Sequence, residues 1–566
     1  MIKRLLILLC FVTLSSRISS PNVTDENEKL RTIVKEKKQA EVVISMPDRA
    51  ELELLTRNVS IASVNGKQVH IILSPLTVEW FIFRNYSYTI LEREEEKGIV
   101  SASDVRQALQ WEAYPTYTQY DSIMRSFASS YPALCSLDTI GTSILGKLIL
   151  AIKITSGINE SLHKPRVFYT SSMHGNETGG FILMLRLSQY LLQNYGIDDY
   201  VTGLVDNLEI WINPLSNPDG TYRGGNEITN PTRGNANGYD LNRNFPDPEV
   251  SDNVSQKETK EMMEFLSRHR FNLSANFHSG SEVTNYPWDR WPRDHADAAW
   301  FYHICRSYAD TAHVYSPKGY MTDLDNGVTD GYAWYSVYGG RQDYVTWSLS
   351  GREITVELDT NFVTPVSYLP VLWEANRRSL LGYIENAIYG IHGTVTDLIT
   401  GKPVPASVTI EGHDTDHSGI YSDTTSGNFV RLINPGIWNL TFSAEGYIDT
   451  LVQNVAVYDR EAIGLEVRMR PIKEPPVKTV TDIKLYPNPA GRYINAILPE
   501  KLRNMLDIRI FNSSGEEMEA FSIDASDQNP VEINISQLVA GTYFISIKNK
   551  STGYSGSAIF SATGNN

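Results

Sequence analysis

The chain has 566 residues, 41% of them hydrophobic and 20% charged, and a formal net charge of −16. That length supports several domains. The acidic balance excludes a broad basic surface, and with it nucleic acid or an anionic membrane as the partner. Three cysteines among 566 residues exclude a disulfide framework.

Lys3 and Arg4, the apolar run 5–14 and the small residues up to Ser20 read as a signal peptide over 1–20. The run is too short to cross a bilayer, and no later segment reaches about 18 apolar residues, so no transmembrane segment is expected. Cys10 falls inside that run. Cys135 and Cys305 remain, and they either pair or stay free. Residues 21–110 read as a small α+β segment with β-type stretches at 41–45, 69–73 and 78–83. It is either a propeptide, with Arg93 or Lys97 in the charged run 92–97 as processing sites, or a permanent accessory domain.

Between 111 and 390, strand and helix patterns alternate. Strands are expected at 148–154, 167–171, 208–213, 273–278 and 354–358, and helices at 181–195 and 255–270. The second helix carries a capping box, Ser255-x-x-Glu258, and an apolar face of Met262, Phe265 and Leu266. The fold class is α/β, a mixed central sheet with helices on both faces. In such sheets sites collect beyond the carboxyl ends of strands, where His174, the segment 213–220 and His278 all fall. Residues 391–471 change to short alternating strands between Gly, Pro and Asn turns, an all-β sandwich. A Pro-rich linker over 472–479 leads to a second all-β sandwich at 480–566, which begins Tyr486-Pro487-Asn488-Pro489.

Several of these segments carry chemistry. His174 and Glu177 lie where a strand gives way to a helix. They supply two ligands of a His₂Glu zinc site that keeps a fourth position for water, and His278, ending another strand, is the candidate third. The loop from Arg233 through Asn242 and Arg243 offers guanidinium groups suited to a carboxylate and an oxyanion. In the strand at 353–358, Glu353, Thr355 and Glu357 alternate with Ile354, Val356 and Leu358, so Glu357 on the polar face suits a general base.

The matching text is His174-Gly-Asn-Glu177, Asn217-Pro-Asp-Gly220, Gly238-Tyr-Asp-Leu-Asn242-Arg243-Asn-Phe-Pro246, Asn276-Phe-His278, Asn285-Tyr-Pro-Trp-Asp289, Trp334-Tyr335-Ser-Val-Tyr-Gly339-Gly340-Arg-Gln342-Asp343 and Glu353-Ile-Thr-Val-Glu357-Leu358. Over roughly 115–390 it resembles the zinc carboxypeptidases of the funnelin (M14) family, and most of all its regulatory branch, carboxypeptidases D, E, N and M. The resemblance implies a metalloprotease, a peptidase acting on peptide and protein C-termini, with one Zn²⁺ held by His174, Glu177 and His278. It implies Glu357 as the base toward the zinc-activated water and Arg233 as stabiliser of the oxyanion. Asn242 and Arg243 would hold the substrate's terminal carboxylate and Tyr335 would cap it. Asp289 and Gln342 would line a pocket for a C-terminal Lys or Arg. Two positions depart from the branch: Arg341, where an apolar residue is usual, and Ser279, where a Gly is usual. An Arg341 facing the pocket would repel a basic side chain or pair with Asp289, and move the preference toward neutral or cell-wall peptides. A surface binding protein with an inactive peptidase fold is a third reading, opposed by the intact residue set. Residues 391–471 resemble the transthyretin-like domain of the same branch. Residues 480–566 resemble the sorting domain of type IX secretion, which implies that machinery as partner and a secreted or outer-surface location in a Gram-negative bacterium.

Overall fold

The computed structural model describes residues 23–91, 99–160, 163–249, 254–472 and 478–564. The expected signal peptide, the charged run 92–97 and most of the Pro-rich linker lie outside the described residues. Contacts divide the chain into two units, Met1–Arg470 and Pro471–Asn566.

The first unit is built on an eight-stranded mixed sheet. At its centre Arg352–Asp359 runs parallel to Leu273–His278, which runs parallel to Arg166–Ser171, itself parallel to Glu209–Asn213. Leu148–Ile154 and Ser281–Tyr286 flank this block in antiparallel register. Every residue of Leu273–His278 is buried, as expected of a parallel strand covered on both faces. The period-two rule sorts the side chains into two layers. Leu150, Ile152, Val167, Tyr169, Ile210, Ile212, Ile354 and Val356 face one apolar layer with the helices Gly179–Asn194 and Leu369–Glu385. Ile149, Ala151, Phe168 and Trp211 face the other, with Lys257–His269 and Phe271.

Every expected strand of this region is present within two residues at each end, and so is the first helix. The second differs at its start. Gln256, not Ser255, precedes Lys257–His269, and no side chain caps it. Glu258 is buried and accepts from the Ile144 N–H at 3.0 Å and from Asn235 Nδ2 at 3.1 Å, so it is unavailable for a capping box. The apolar face Met262, Phe265 and Leu266 is buried as expected.

The N-terminal segment forms a four-stranded sheet of Ala40–Ser45, Ser60–Asn65, Gln68–Leu73 and Tyr88–Leu91, with helices Val23–Lys37 and Arg49–Asn58. Residues 78–83, expected as strand, are a helix. Pro75 begins a turn that closes the Thr77 and Val78 N–H groups onto the Ser74 carbonyl at 3.1 Å. The chain keeps coiling because Val78 and Phe81, three apart, then share one buried face. The core of this sheet continues into Val283, Trp334, Tyr335 and Val337 of the large sheet's domain.

Residues 390–469 form a sandwich of a three-stranded and a four-stranded sheet. It is anchored by buried Arg431, whose guanidinium donates to Asp297 Oδ2 at 2.8 Å, where Arg352 also binds at 2.7 Å. Cys135 and Cys305 are both buried free thiols. The second unit is a five-stranded and a three-stranded sheet around a core of Ile494, Ile508, Ile533, Ile545 and Phe560. No helix among the described residues is long and apolar enough to cross a membrane.

Candidate metal centre and substrate pocket

The turn after Arg166–Ser171 places His174 and Glu177. Its backbone is fixed by the Gly175 N–H on the Arg233 carbonyl (3.1 Å), and Asn217 Nδ2 donates to the Met173 carbonyl (3.1 Å). Gly175 is required by this packing, because a Cβ there would lie 2.3 Å from the Gly220 backbone. His278, the candidate third ligand, ends the neighbouring strand, and Glu357 is its register partner one strand further on.

His174 Nδ1 lies 2.9 Å from Glu177 Oε1, His278 Nδ1 lies 2.8 Å from Glu177 Oε2, and the two Nδ1 atoms are 3.0 Å apart. All three residues are buried. The three contacts cannot all be hydrogen bonds, because two Nδ1–H groups given to the carboxylate leave no acceptor between the rings, and the cluster suits a cation. Tetrahedral ligands about 2.1 Å from zinc stand roughly 3.4 Å apart, so the donors need only spread slightly to fit. Burial pushes the Glu177 carboxyl up, but His174 and His278 outweigh it and hold the group well below the usual carboxylate range. Behind the ligands, Asp240 Oδ1 lies 2.8 Å from His174 Nε2, and Arg233 Nη1 donates to Glu177 Oε1 at 2.8 Å. Asp240, also buried and also lowered by His174 and Arg233, was quoted within a motif but given no role by sequence reasoning. Its signal was an acidic residue two positions before the Asn242-Arg243 pair. A carboxylate holding a ligand's outer nitrogen is a common feature of such sites.

Glu357 is half-buried, and its buried Oε2 has no hydrogen-bond partner among the described residues. Burial, with Glu177 adding to it, raises the carboxyl to about 8. Arg233 reaches the same place from the other side. Its Nε donates to Asp240 Oδ2 at 3.1 Å and to Ser60 Oγ at 2.6 Å, and Nη2 to the Ile61 carbonyl at 3.4 Å. Gln39 Oε1 accepts the Arg233 N–H at 2.9 Å. Sequence reasoning did not find these contacts of Gln39, Ser60 and Ile61, which come from the N-terminal sheet. A cavity of about 620 Å³ between that sheet and the loop 219–244 is lined by Gln39, Ser60, Arg233 and Arg243.

Asn242 Oδ1 accepts the Arg341 N–H at 2.9 Å, tying the carboxylate-binding loop to the helix Arg341–Leu349. On the first turn of that helix Gln342 Nε2 donates to Asp289 Oδ1 (3.0 Å) and Asn285 Oδ1 (3.1 Å), while its Oε1 is buried and without a partner among the described residues. Asp289 is raised to about 7, chiefly by burial. Arg341 does not join this pocket: it is fully buried and pairs with Glu353 at 2.9 Å. Tyr335 is buried against the N-terminal core, its phenol raised to about 12 by burial. His174, Glu177, His278 and Glu357 lie at the carboxyl ends of the central strands or in the turn after one, Arg233 and Asn242 in the loop region beside them, Gln342 on the first turn of the helix Arg341–Leu349 and Asp289 beyond the antiparallel strand Ser281–Tyr286.

The arrangement defines a class first: a mixed α/β fold with a buried His₂Glu cluster that could hold a metal ion, with a carboxylate and arginines beside it. Residues 120–379 match the family described as zinc carboxypeptidase, and residues 484–560 match a secretion system C-terminal sorting domain. Carboxypeptidase M of Mus musculus is 33% identical over 353 residues, covering 58% of this chain and 77% of that protein. Carboxypeptidase E of Caenorhabditis elegans is 30% identical over 413 residues, covering 64% and 87%. Human carboxypeptidase D is 34% identical over 365 residues, 61% of this chain; the match spans only 26% of that longer protein. The solved carboxypeptidase A of Helicoverpa armigera covers 61% of this chain and 96% of its own at 16% identity and a TM-score of 0.48. The chain belongs to the zinc carboxypeptidase family.

Proposed function

We propose that this protein is a secreted zinc carboxypeptidase that hydrolyses the last peptide bond of peptides and proteins and releases C-terminal Lys or Arg. The observation that carries the reading is the convergence of His174, Glu177 and His278 within hydrogen-bond distance of one another, with Glu357 in register beside them. A zinc ion held there supplies Lewis-acid polarisation of water and of the scissile carbonyl. Asn242 and Arg243 receive the terminal carboxylate, which confines the enzyme to chain ends. Glu357 takes the proton of the attacking water and returns it to the leaving amine. A carboxyl with pKa near neutrality serves both directions. Arg233 stabilises the oxyanion, and Tyr335 covers the bound residue. Asp289, with the Gln342 Oε1 acceptor beside it, selects a cationic side chain. The pairing of Arg341 with Glu353 supports that choice over a neutral or cell-wall pocket, because the guanidinium is spent elsewhere.

The N-terminal sheet acts in this reading as a propeptide. Ser60 and Ile61 occupy two nitrogens of Arg233, and the sheet's apolar core holds Tyr335. Residues 390–469 act as a transthyretin-like structural partner of the catalytic domain. The sorting domain directs the protein through type IX secretion to the medium or outer surface of a Gram-negative bacterium.

Blocked dipeptides ending in Lys, Arg, Phe or diaminopimelate test the reading. They are offered to protein severed between residues 91 and 99, with and without chelator, beside Glu357→Gln. Chelator-sensitive release of Lys and Arg alone, lost in the variant, is expected. Release of Phe or diaminopimelate instead would refute the specificity, and no release of any would refute the activity.

A further inference from the structure

Arg341 stands between the Gly339-Gly340 pair and the pocket residue Gln342, yet its side chain turns back under the sheet. Nη2 donates to Glu353 Oε2 at 2.9 Å, Ser274 Oγ donates to the same oxygen at 2.6 Å, and the guanidinium carbon sits 5.3 Å from the Phe168 ring centroid. Nη1 donates to Thr170 Oγ1. Thr170 Oγ1 donates to Asn276 Oδ1 at 3.0 Å, and Asn276 Nδ2 lies 2.8 Å from His278 Nε2. Register explains the chain: Thr170 is the partner of Asn276 on one side, and Glu353 of Ser274 and Glu357 of His278 on the other. Phe168 shares the layer of Phe265 and Phe271, opposite that of Tyr169 and Phe277. By alternation Thr170, Ser274, Asn276, His278, Glu353 and Glu357 form one polar strip on that face of the sheet. Arg341 is the cation laid against this strip.

We propose that Arg341 is a positioning residue for the metal, acting through Thr170 and Asn276 on the ligand His278. This rests on reading His278 as a ligand. A His278 that turns its Nδ1 lone pair to a cation must carry its proton on Nε2. Asn276 can accept that proton only with its amide oxygen, so its amide, whose Nδ2 faces His278 in the structure, turns end for end when His278 binds a cation and presents its N–H groups to Thr170 Oγ1. A hydroxyl oxygen has two lone pairs, so Thr170 takes the Asn276 amide and the Arg341 guanidinium together. Glu353, buried and 2.9 Å from Arg341 Nη2, keeps the guanidinium in place. The series Glu353, Arg341, Thr170, Asn276, His278 thus sets the ring's tautomer and its rotation.

The test uses full-length apoprotein and reads Zn²⁺ affinity by competition with a chromophoric chelator, and the visible spectrum after loading with Co²⁺. Thr170→Val cuts the chain at its middle and leaves the ion pair, while the double change Arg341→Met with Glu353→Gln removes the pair without stranding a charge. Each is expected to weaken Zn²⁺ binding 10- to 100-fold, the range found for groups that orient metal ligands, and to shift the Co²⁺ bands. Arg341→Lys should restore part of both. Wild-type affinity and spectrum in a folded Thr170→Val protein would overturn the proposal and leave Arg341 a purely structural cation. Wild-type protein that binds no Zn²⁺ would instead overturn the reading of His278 as a ligand.

Discussion

Replacing Asp289 with Asn tests the pocket most sharply, because it removes one charge from a group already held by Gln342 and Asn285 and leaves the shape unchanged. A substrate ammonium or guanidinium about 4 Å from that carboxylate gains about 4 kcal/mol at an effective dielectric of about 20. Roughly half is offset by taking the cation out of water into a fully buried pocket. The surplus of about 2 kcal/mol corresponds to about a 30-fold fall in kcat/KM for substrates ending in Lys. A substrate ending in Leu gains no such charge pair and should fall less than two- to three-fold. The pH dependence follows from the same group. Asp289 is raised to about 7 by burial, so its charge, and the preference for Lys over Leu, should be full above pH 8 and fade as pH falls through 7. The Asn variant should show no such slope. Parallel losses on Lys- and Leu-ending substrates, or a preference ratio flat with pH in the wild type, would refute the assignment of Asp289 as the selecting charge.

Glu357→Gln should lower kcat about 10²- to 10⁴-fold while leaving Zn²⁺ affinity within a few-fold, checked by steady-state kinetics and metal analysis. Stripping the metal should lower the melting temperature as well as abolish activity. At a free concentration 1,000 times Kd, restoring it is worth about 4 kcal/mol, measurable by differential scanning fluorimetry. Severing the chain between residues 91 and 99 and removing the N-terminal sheet should raise activity at least ten-fold. The paired change Gln39→Ala with Ser60→Ala, which frees Arg233 from two of its contacts, should give part of that rise in the uncut protein. Burial and the nearby Arg352 hold His295 down at about 3, so it is neutral when folded, whereas in the unfolded chain it takes a proton below about 6.5. Stability should therefore fall as pH drops from 6.5 toward 3, and His295→Asn should flatten that part of the melting-temperature profile.

Of the residues singled out for the site, only the pair His174 and Glu177 is set by local geometry, whereas the fold brings His278 to Glu177 across 101 positions and Gln342 to Asp289 across 53. A strand end, a tight turn and a helix start put His174 and Glu177 together, and period-two alternation marked Glu357. What the sequence could not reveal depends on distant partners. Glu258 looked like half of a capping box, yet folding delivers it to Ile144 and Asn235, more than a hundred residues before it in one case. Arg341 looked like a threat to the pocket because its neighbours line it. Only the register of three strands shows that Glu353 claims its charge. The contacts of Gln39 and Ser60 with Arg233 cross 194 and 173 positions between the N-terminal segment and a loop of the large sheet's domain, and no local pattern announces such pairs. Residues 78–83 misled for the opposite reason: six mostly apolar residues satisfy strand and helix alike, and Pro75 with the turn at Ser74 decided between them.

The two layers of the central sheet have a consequence for how the chain finds its fold. The strip that carries Ser274, Asn276 and His278 alternates with Leu273, Ala275 and Phe277, and the strip of Glu353 and Glu357 with Ile354 and Val356. A slip of Arg352–Asp359 by a single residue against its neighbours would drive two carboxylates into the layer of Tyr169 and Phe277 and turn Val356 toward the metal ligands. The groups that perform the chemistry thus also act as pins during assembly, penalising every misaligned pairing of the innermost strands. A carboxypeptidase stripped of these charges by design would lose more than its activity, since nothing else on those strands distinguishes one face from the other so strongly.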